Sequence, residues 1–132
     1  MFLVDSNIII DVIGHHPRWA EPSAALLSAC TEKGLLIINP VIYAEVSVPF
    51  PSMETCHEAL THMALHHEPI PEDAAFLAGK AFLRYRRAKG KKTSPLPDFF
   101  IGAHAGVRGY SLLTRDAKRY RNYFPRLNLI EP

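Results

Sequence analysis

The sequence predicts an α/β fold with a largely parallel central sheet. Three observations carry that expectation. Short apolar runs recur at Phe2-Leu3-Val4, Leu35-Leu36-Ile37-Ile38 and Ser111-Leu112-Leu113-Thr114, as suits strands covered on both faces. Longer stretches with apolar residues at helical spacing separate them. Helix starts such as Asn39-Pro40 and stops such as Gly14 and Gly34 fall at the joins. Strands alternating with helices define the α/β class, and its parallel connections are right-handed crossovers.

The elements follow in order. Residues 2–5 form the first strand, ending in Asp5. Ser6 caps a helix over residues 7–13 that Gly14 closes. His15-His16-Pro17 is a loop. Pro22 fits a first helical position, and a helix runs from Ser23 to Lys33 with Gly34 at its end. Residues 35–38 are the second strand. Asn39 caps the next helix, with Pro40 at its first position, and Pro49 and Pro51 stop it near Phe50. Ser52 caps a helix that reaches Leu65. His66 to Ile70 is a turn with room for a short third strand. Pro71-Glu72-Asp73 opens a long helix to Lys89, whose apolar stripe includes Ala75, Phe76, Ala78, Phe82 and Leu83. Residues 90–97 are a loop. Pro97 and Asp98 start a helix to Val107, residues 111–114 are the fourth strand, residues 117–123 a short basic helix and residues 127–130 a last strand.

A length of 132 residues fits a single domain with one core. Hydrophobic residues at 48% and charged ones at 21% are ordinary for a globular chain, which sets disordered and fibrous classes aside. No apolar run approaches the ~20 residues of a membrane span. The first residues lack a signal-peptide pattern, since Asp5 interrupts the early apolar run. A cytoplasmic protein with no membrane contact is therefore expected. Cys30 and Cys56 read as reduced thiols in that compartment. No CxxC spacing supports a cysteine zinc site, and the seven histidines show no ligand spacing. Charge is uneven. Residues 1–79 hold two basic and ten acidic residues, a net −8, whereas residues 80–132 hold thirteen basic and three acidic, a net +10. A polyanionic partner suits that pattern.

Four acids stand in unlikely places. Asp5 ends an apolar strand, Glu45 lies inside an apolar helix, Asp98 follows a basic loop at a helix start, and Asp116 ends the fourth strand. Each has an ordinary alternative: turn acceptor, wet-edge acid, first-turn acid or N-cap. Jointly those alternatives are less attractive. Parallel strands put Asp5 and Asp116 on one edge of the sheet, which the helices of Glu45 and Asp98 can flank. Clustered carboxylates repel unless a cation compensates, and oxygen-only ligands suit Mg²⁺ or Mn²⁺. Such ions promote phosphodiester hydrolysis. The remaining acids, Glu54, Glu58, Glu68, Glu72 and Asp73 among them, read as solvated.

The order Asp5-Ser6-Asn7, Glu45, Pro97-Asp98-Phe99-Phe100-Ile101-Gly102-Ala103-His104-Ala105 and Leu113-Thr114-Arg115-Asp116 resembles the PIN domain, and more narrowly the VapC toxins of VapBC toxin–antitoxin pairs. The resemblance spans nearly the whole chain. It implies a three-layer α/β/α fold with strand order 3-2-1-4-5 and a Mg²⁺- or Mn²⁺-dependent endoribonuclease. Asp5, Asp98 and Asp116 would bind metal directly, and Glu45 directly or through water. In-line attack by hydroxide would leave a 5′-phosphate and a 3′-hydroxyl. Asn7 and Thr114 match supporting polar positions. The resemblance further implies a small VapB-like antitoxin, a homodimer and a higher assembly of the two. One departure is that Ala117-Lys118-Arg119-Tyr120 lacks a further Asp common in relatives, which weakens a second metal site.

Arg84, Arg86, Arg87, Lys89, Lys91 and Lys92 are six basic residues within nine. They read either as a solvated helix end or as contacts to RNA phosphates. Arg84, Arg87, Lys91 and Lys92, with Arg115 and Arg119, are the candidate RNA contacts, and Tyr120 and Tyr123 are available for base stacking. Arg115 can also offset the neighbouring carboxylates. Asp11 reads as a supporting or solvated acid, and Trp19 as packing. Alternative functions are a housekeeping PIN nuclease in RNA processing and an inactive PIN-like module that binds RNA.

Overall fold

A computed structural model of the chain describes residues 1–89 and 96–132. The elements are β1 (Phe2–Val4), α1 (Ser6–Ile13), α2 (Ala20–Thr31), β2 (Leu36–Ile38), α3 (Pro40–Ser47), α4 (Met53–His62), β3 (Leu65–His67), α5 (Glu72–Lys89), α6 (Leu96–Arg108), β4 (Ser111–Leu113), α7 (Lys118–Arg121) and β5 (Leu129–Ile130). Five parallel strands form one sheet in the order β3-β2-β1-β4-β5. Helices flank it, so the predicted PIN-like α/β architecture and strand order are both present.

The strands are apolar on both faces. Leu3, Val4, Ile38, Leu112 and Leu113 are all fully buried, as suits a parallel sheet covered by helices. β1 is central. Phe2 pairs with Leu36 on one side and Ser111 on the other. The chain first steps from β1 to β2 and β3, then crosses back to β4 beside β1. Strand order reverses at that join, beside the carboxyl ends of β1 and β4, which is where open α/β sheets build their sites.

Local chemistry explains several boundaries. Asp5, rather than Ser6, is the N-cap of α1, its carboxylate accepting from the Ser6 N–H at 2.8 Å. Asn39 caps α3 by accepting from Ile42 N–H at 2.9 Å, and Ser52 caps α4 through Thr55 N–H. α2 begins at Ala20, earlier than Pro22 suggests, with no side-chain cap. The α4 helix stops at His62, before Leu65, because Ala64 takes a left-handed φ of 60° and turns the chain into β3. α6 starts at Leu96, ahead of the Pro97-Asp98 signal, and Gly109 at φ 72° releases the chain after its end.

Ile8, Ile9, Ile42, Val46, Cys56 and Leu60 join the strands to α1, α3 and α4. An aromatic group of Phe82, Tyr85, Phe99, Tyr123 and Phe124 joins α5 and α6 to the segment after α7. Gly102 permits that closeness: a Cβ there would lie 2.5 Å from the Phe124 ring. Among the described residues no helix is long and apolar enough to cross a membrane.

Candidate active site

Asp5 is held where the chain leaves β1. Its backbone N–H continues the ladder to Leu113 O at 2.9 Å. Its carboxylate is 3% exposed and saturated with neutral donors. Ser6 N–H reaches one oxygen, and the hydroxyls of Thr114 and Tyr120 reach the other, each at 2.8 Å. Those bonds favour the charged form, yet burial outweighs them and pushes the Asp5 carboxyl above its ordinary value.

Thr114, fully buried, is the hub. Its hydroxyl donates to Asp5 and accepts from Asp116 N–H at 3.0 Å and from Asn7 Nδ2 at 3.5 Å. Asn7 Oδ1 in turn accepts from Arg115 N–H at 3.2 Å. One hydroxyl and one amide thus tie the end of β1 to the turn after β4. Asn7 supports Asp5 at one remove, through Thr114.

Glu45 arrives from the middle of α3. Ser6 Oγ donates to it at 2.7 Å and lies 3.5 Å from Asp5 Oδ1, so one side chain spans two of the four acids. Asp98 arrives from the first turn of α6 and is 5% exposed. Burial pushes its carboxyl up to about 6, Arg119 opposes the rise, and the charges of Asp5, Glu45 and Asp116 reinforce it. Four acids from four separate segments therefore act on one another at the carboxyl edge of β1 and β4. Asp98 Oδ2 is buried and no donor among the described residues reaches it. Arg119 lies against the cluster, its Nε 2.8 Å from Asp116 and its Nη1 3.5 Å from Asp98.

Among the described residues, no three Asp, Glu, His or Cys side chains already stand in ligating geometry. Hydroxyl donors and Arg119 engage the oxygens a cation would need. The donor set still fits a hard divalent ion, being all carboxylate oxygen with one buried oxygen that no described residue engages.

The predicted basic residues separate into three groups. Arg119 belongs to the acid cluster. Arg115 grips the buried Asp11 with two bonds, at 2.7 and 2.9 Å, and its guanidinium lies 5.4 Å from the Trp19 ring centre. Arg84 and Arg87 are exposed on α5, Arg84 above the Tyr123 ring. Lys91 and Lys92, with the rest of their loop, lie outside the described residues.

Several sequence readings need correction. Tyr120 is not a surface stacking platform; it is fully buried and bonds Asp5. Asp11 is not solvated but 2% exposed and paired. Glu68 is not a free surface acid. It accepts from Tyr110 OH at 2.8 Å and pairs with His104 Nε2 at 2.6 Å. Partial burial raises the Glu68 carboxyl, but those bonds outweigh it and leave it below its ordinary value. Asn39 Oδ1 is taken by Ile42 N–H, so its amide donates to His104 Nδ1 at 3.0 Å and His104 donates from Nε2 to Glu68. Ser6 passed as a cap alone. Its hydroxyl role was hidden because Glu45 is 39 residues away in sequence.

No family model matches the sequence, and no curated protein does. Solved structures do match along their whole length. A chain of the VapBC2 complex of Rickettsia felis, bound to a promoter DNA fragment, shares 19% identity at a TM-score of 0.74, with 98% of this chain and 97% of that one covered. A chain of VapBC-1 from nontypeable Haemophilus influenzae gives 18% and 0.71, over 98% and 96%. A chain of the FitAcB structure from Neisseria gonorrhoeae gives 18% and 0.66, over the same shares. The fold is a PIN-like α/β fold. The likeness to these complexes is one of fold.

Proposed function

We propose that this chain is a Mg²⁺- or Mn²⁺-dependent endoribonuclease acting as the toxin of a two-component toxin–antitoxin pair. The action of Asp5, Glu45 and Asp116 on buried Asp98, whose Oδ2 has no partner among the described residues, is the observation that supports it most. Those four acids would hold the ion. A divalent ion supplies Lewis-acid polarisation of a phosphate and acidification of water. The chain supplies rigidity: Thr114, Tyr120 and Ser6 fix Asp5, Ser6 fixes Glu45, and Thr114 fixes the Asp116 backbone. Arg84 and Arg87 on α5 offer phosphate contacts that read no sequence.

The toxin role draws on the fold shared with chains of VapBC and FitAB complexes. A small antitoxin and a second copy of this chain are the partners in this reading. Val48 at 82% exposed and Met53 at 71% offer them apolar surface where α3 meets α4.

The test is RNA cleavage by purified wild type and by Asp5→Asn, with Mg²⁺ or Mn²⁺ and with EDTA. Wild type should cut only with the ion, and Asp5→Asn should fall by about a thousandfold or more while remaining folded. Ion-independent cleavage, or full activity of the variant, sinks the metal-site reading. RNA that binds but is never cut favours the module without activity, a reading that Arg119's position in the cluster supports. Expression in bacteria separates toxin from housekeeping nuclease. Growth arrest by wild type but not by Asp5→Asn supports the former.

A further inference from the structure

Two arginines flank Asp116, and they are anchored differently. Arg115 is bound away from the cluster, doubly bonded to buried Asp11 and packed over Trp19. Arg119 lies on the acids. Its Nε–H donates to Asp116 at 2.8 Å and Nη1–H makes a long contact of 3.5 Å to Asp98. The same side chain is 47% exposed, so it can turn into solvent without opening the core. Its charge is permanent at any working pH. Asp5, Glu45 and Asp116 act on Asp98, whose buried Oδ2 has no partner among the described residues. A divalent cation held by Asp98 and Asp116 would share their carboxylates with Arg119, and the two positive charges would oppose one another.

We propose that Arg119 is a built-in counter-ion of the acid cluster, occupying the divalent cation's place and swinging into solvent when that cation binds. This rests on the metal-site reading above. Arg119 thereby sets the site's affinity for metal. It stabilises the metal-free protein by offsetting carboxylate repulsion, and it opposes the ion by the same contact. Exposed ion pairs are weak, so the exchange is easy, whereas the equivalent move by Arg115 would strand a buried acid.

The test measures Mn²⁺ binding by calorimetry without RNA, and thermal midpoints in EDTA and in saturating Mn²⁺. Arg119→Gln should bind Mn²⁺ about tenfold more tightly than wild type, within the usual range of coupling between two competing ligands. It should melt below wild type in EDTA and gain more from Mn²⁺. Arg119→Lys, which keeps the charge, should stay near wild type. In the wild type itself, the Arg119 Nε–H proton should be protected from exchange in EDTA and lose protection as Mg²⁺ is added. Equal or weaker Mn²⁺ binding by Arg119→Gln overturns the proposal, as does an Nε–H signal that ignores bound Mg²⁺. Asp98→Asn is the control for the underlying reading. If Asp98→Asn leaves Mn²⁺ binding intact, or wild type binds none, the metal-site reading fails. If Asp98→Asn abolishes binding and Arg119→Gln changes nothing, the counter-ion proposal alone fails.

Discussion

Helix α6 carries two buried polar clusters, one at Asp98 and one at His104, and they follow opposite rules. Around His104 every contact is matched. Asn39 donates to one ring nitrogen, Glu68 accepts from the other, and Tyr110 bonds the second Glu68 oxygen. Around Asp98 four like charges gather, and one oxygen has no donor among the described residues. The first arrangement joins α3, α6 and the segment after β3 into a fixed frame. The second is an electrostatic deficit held in place by that frame. Matched polar clusters specify structure, whereas an under-satisfied one with a raised carboxyl is the proposed place for a metal ion.

Breaking the matched cluster should have the larger effect on stability. His104→Ala leaves Asn39 and Glu68 without their buried partner and opens a cavity, a loss of about 3 kcal/mol. Urea unfolding of the metal-free protein would show it, and a loss under about 0.5 kcal/mol would mean the network is dispensable.

Relieving the unmatched cluster should stabilise. The Asp98 carboxyl is raised to about 6 in the folded chain, above the unfolded value near 3.9. Its favourable contribution is therefore complete below about pH 4 and is lost as pH rises through about 6. In EDTA at neutral pH, Asp98→Asn should be more stable than wild type by about 2 kcal/mol, and the gap should close toward pH 4. Glu68 has the reverse sign. Its carboxyl is lowered, so its contribution is present above the unfolded value and lost as acid passes through the folded one. Stability should rise on acidification toward pH 4 and then fall. A monotonic decline below neutrality would contradict the contrast.

The smallest effect concerns how α6 is seated. Gly102→Ala places a methyl group against the Phe124 ring. The ring must shift within its aromatic group, at a cost of about 1 kcal/mol. Near-ultraviolet circular dichroism and the unfolding midpoint would both register the change, and an unaltered midpoint would show that the ring yields freely.

The architecture was legible because its signals are local. Apolar runs, Asn39-Pro40 and Ser52 mark strands and caps within a few residues of each other. The four acids were legible because each contradicts its neighbourhood: an acid ending an apolar strand stands out. Asn7 and Thr114 were legible beside them, but other contacts were not. Ser6, Tyr120 and, beside His104, Glu68 look ordinary in sequence, as cap, surface aromatic and solvated acid. Their roles depend on residues 39, 115 and 36 positions away. Arg115 and Arg119 carry the same charge four residues apart, and only packing decides which grips Asp11 and which lies on the acid cluster. The third strand begins at Leu65, one residue ahead of the stretch expected to hold it, since the left-handed Ala64 that starts it has no glycine to announce it.

The hydroxyl bond from Thr114 to Asp5 spans 109 positions of the chain. Its formation closes nearly the entire polypeptide into one loop, which is slow relative to local contacts. During synthesis a ribosome-bound chain can build α1 to α5 while β4 is still unmade. The acid cluster then lacks Thr114, Asp116, Arg119 and Tyr120. Its assembly is thus a late event in folding, gated by the arrival of β4 and the residues after it, about the last sixth of the chain.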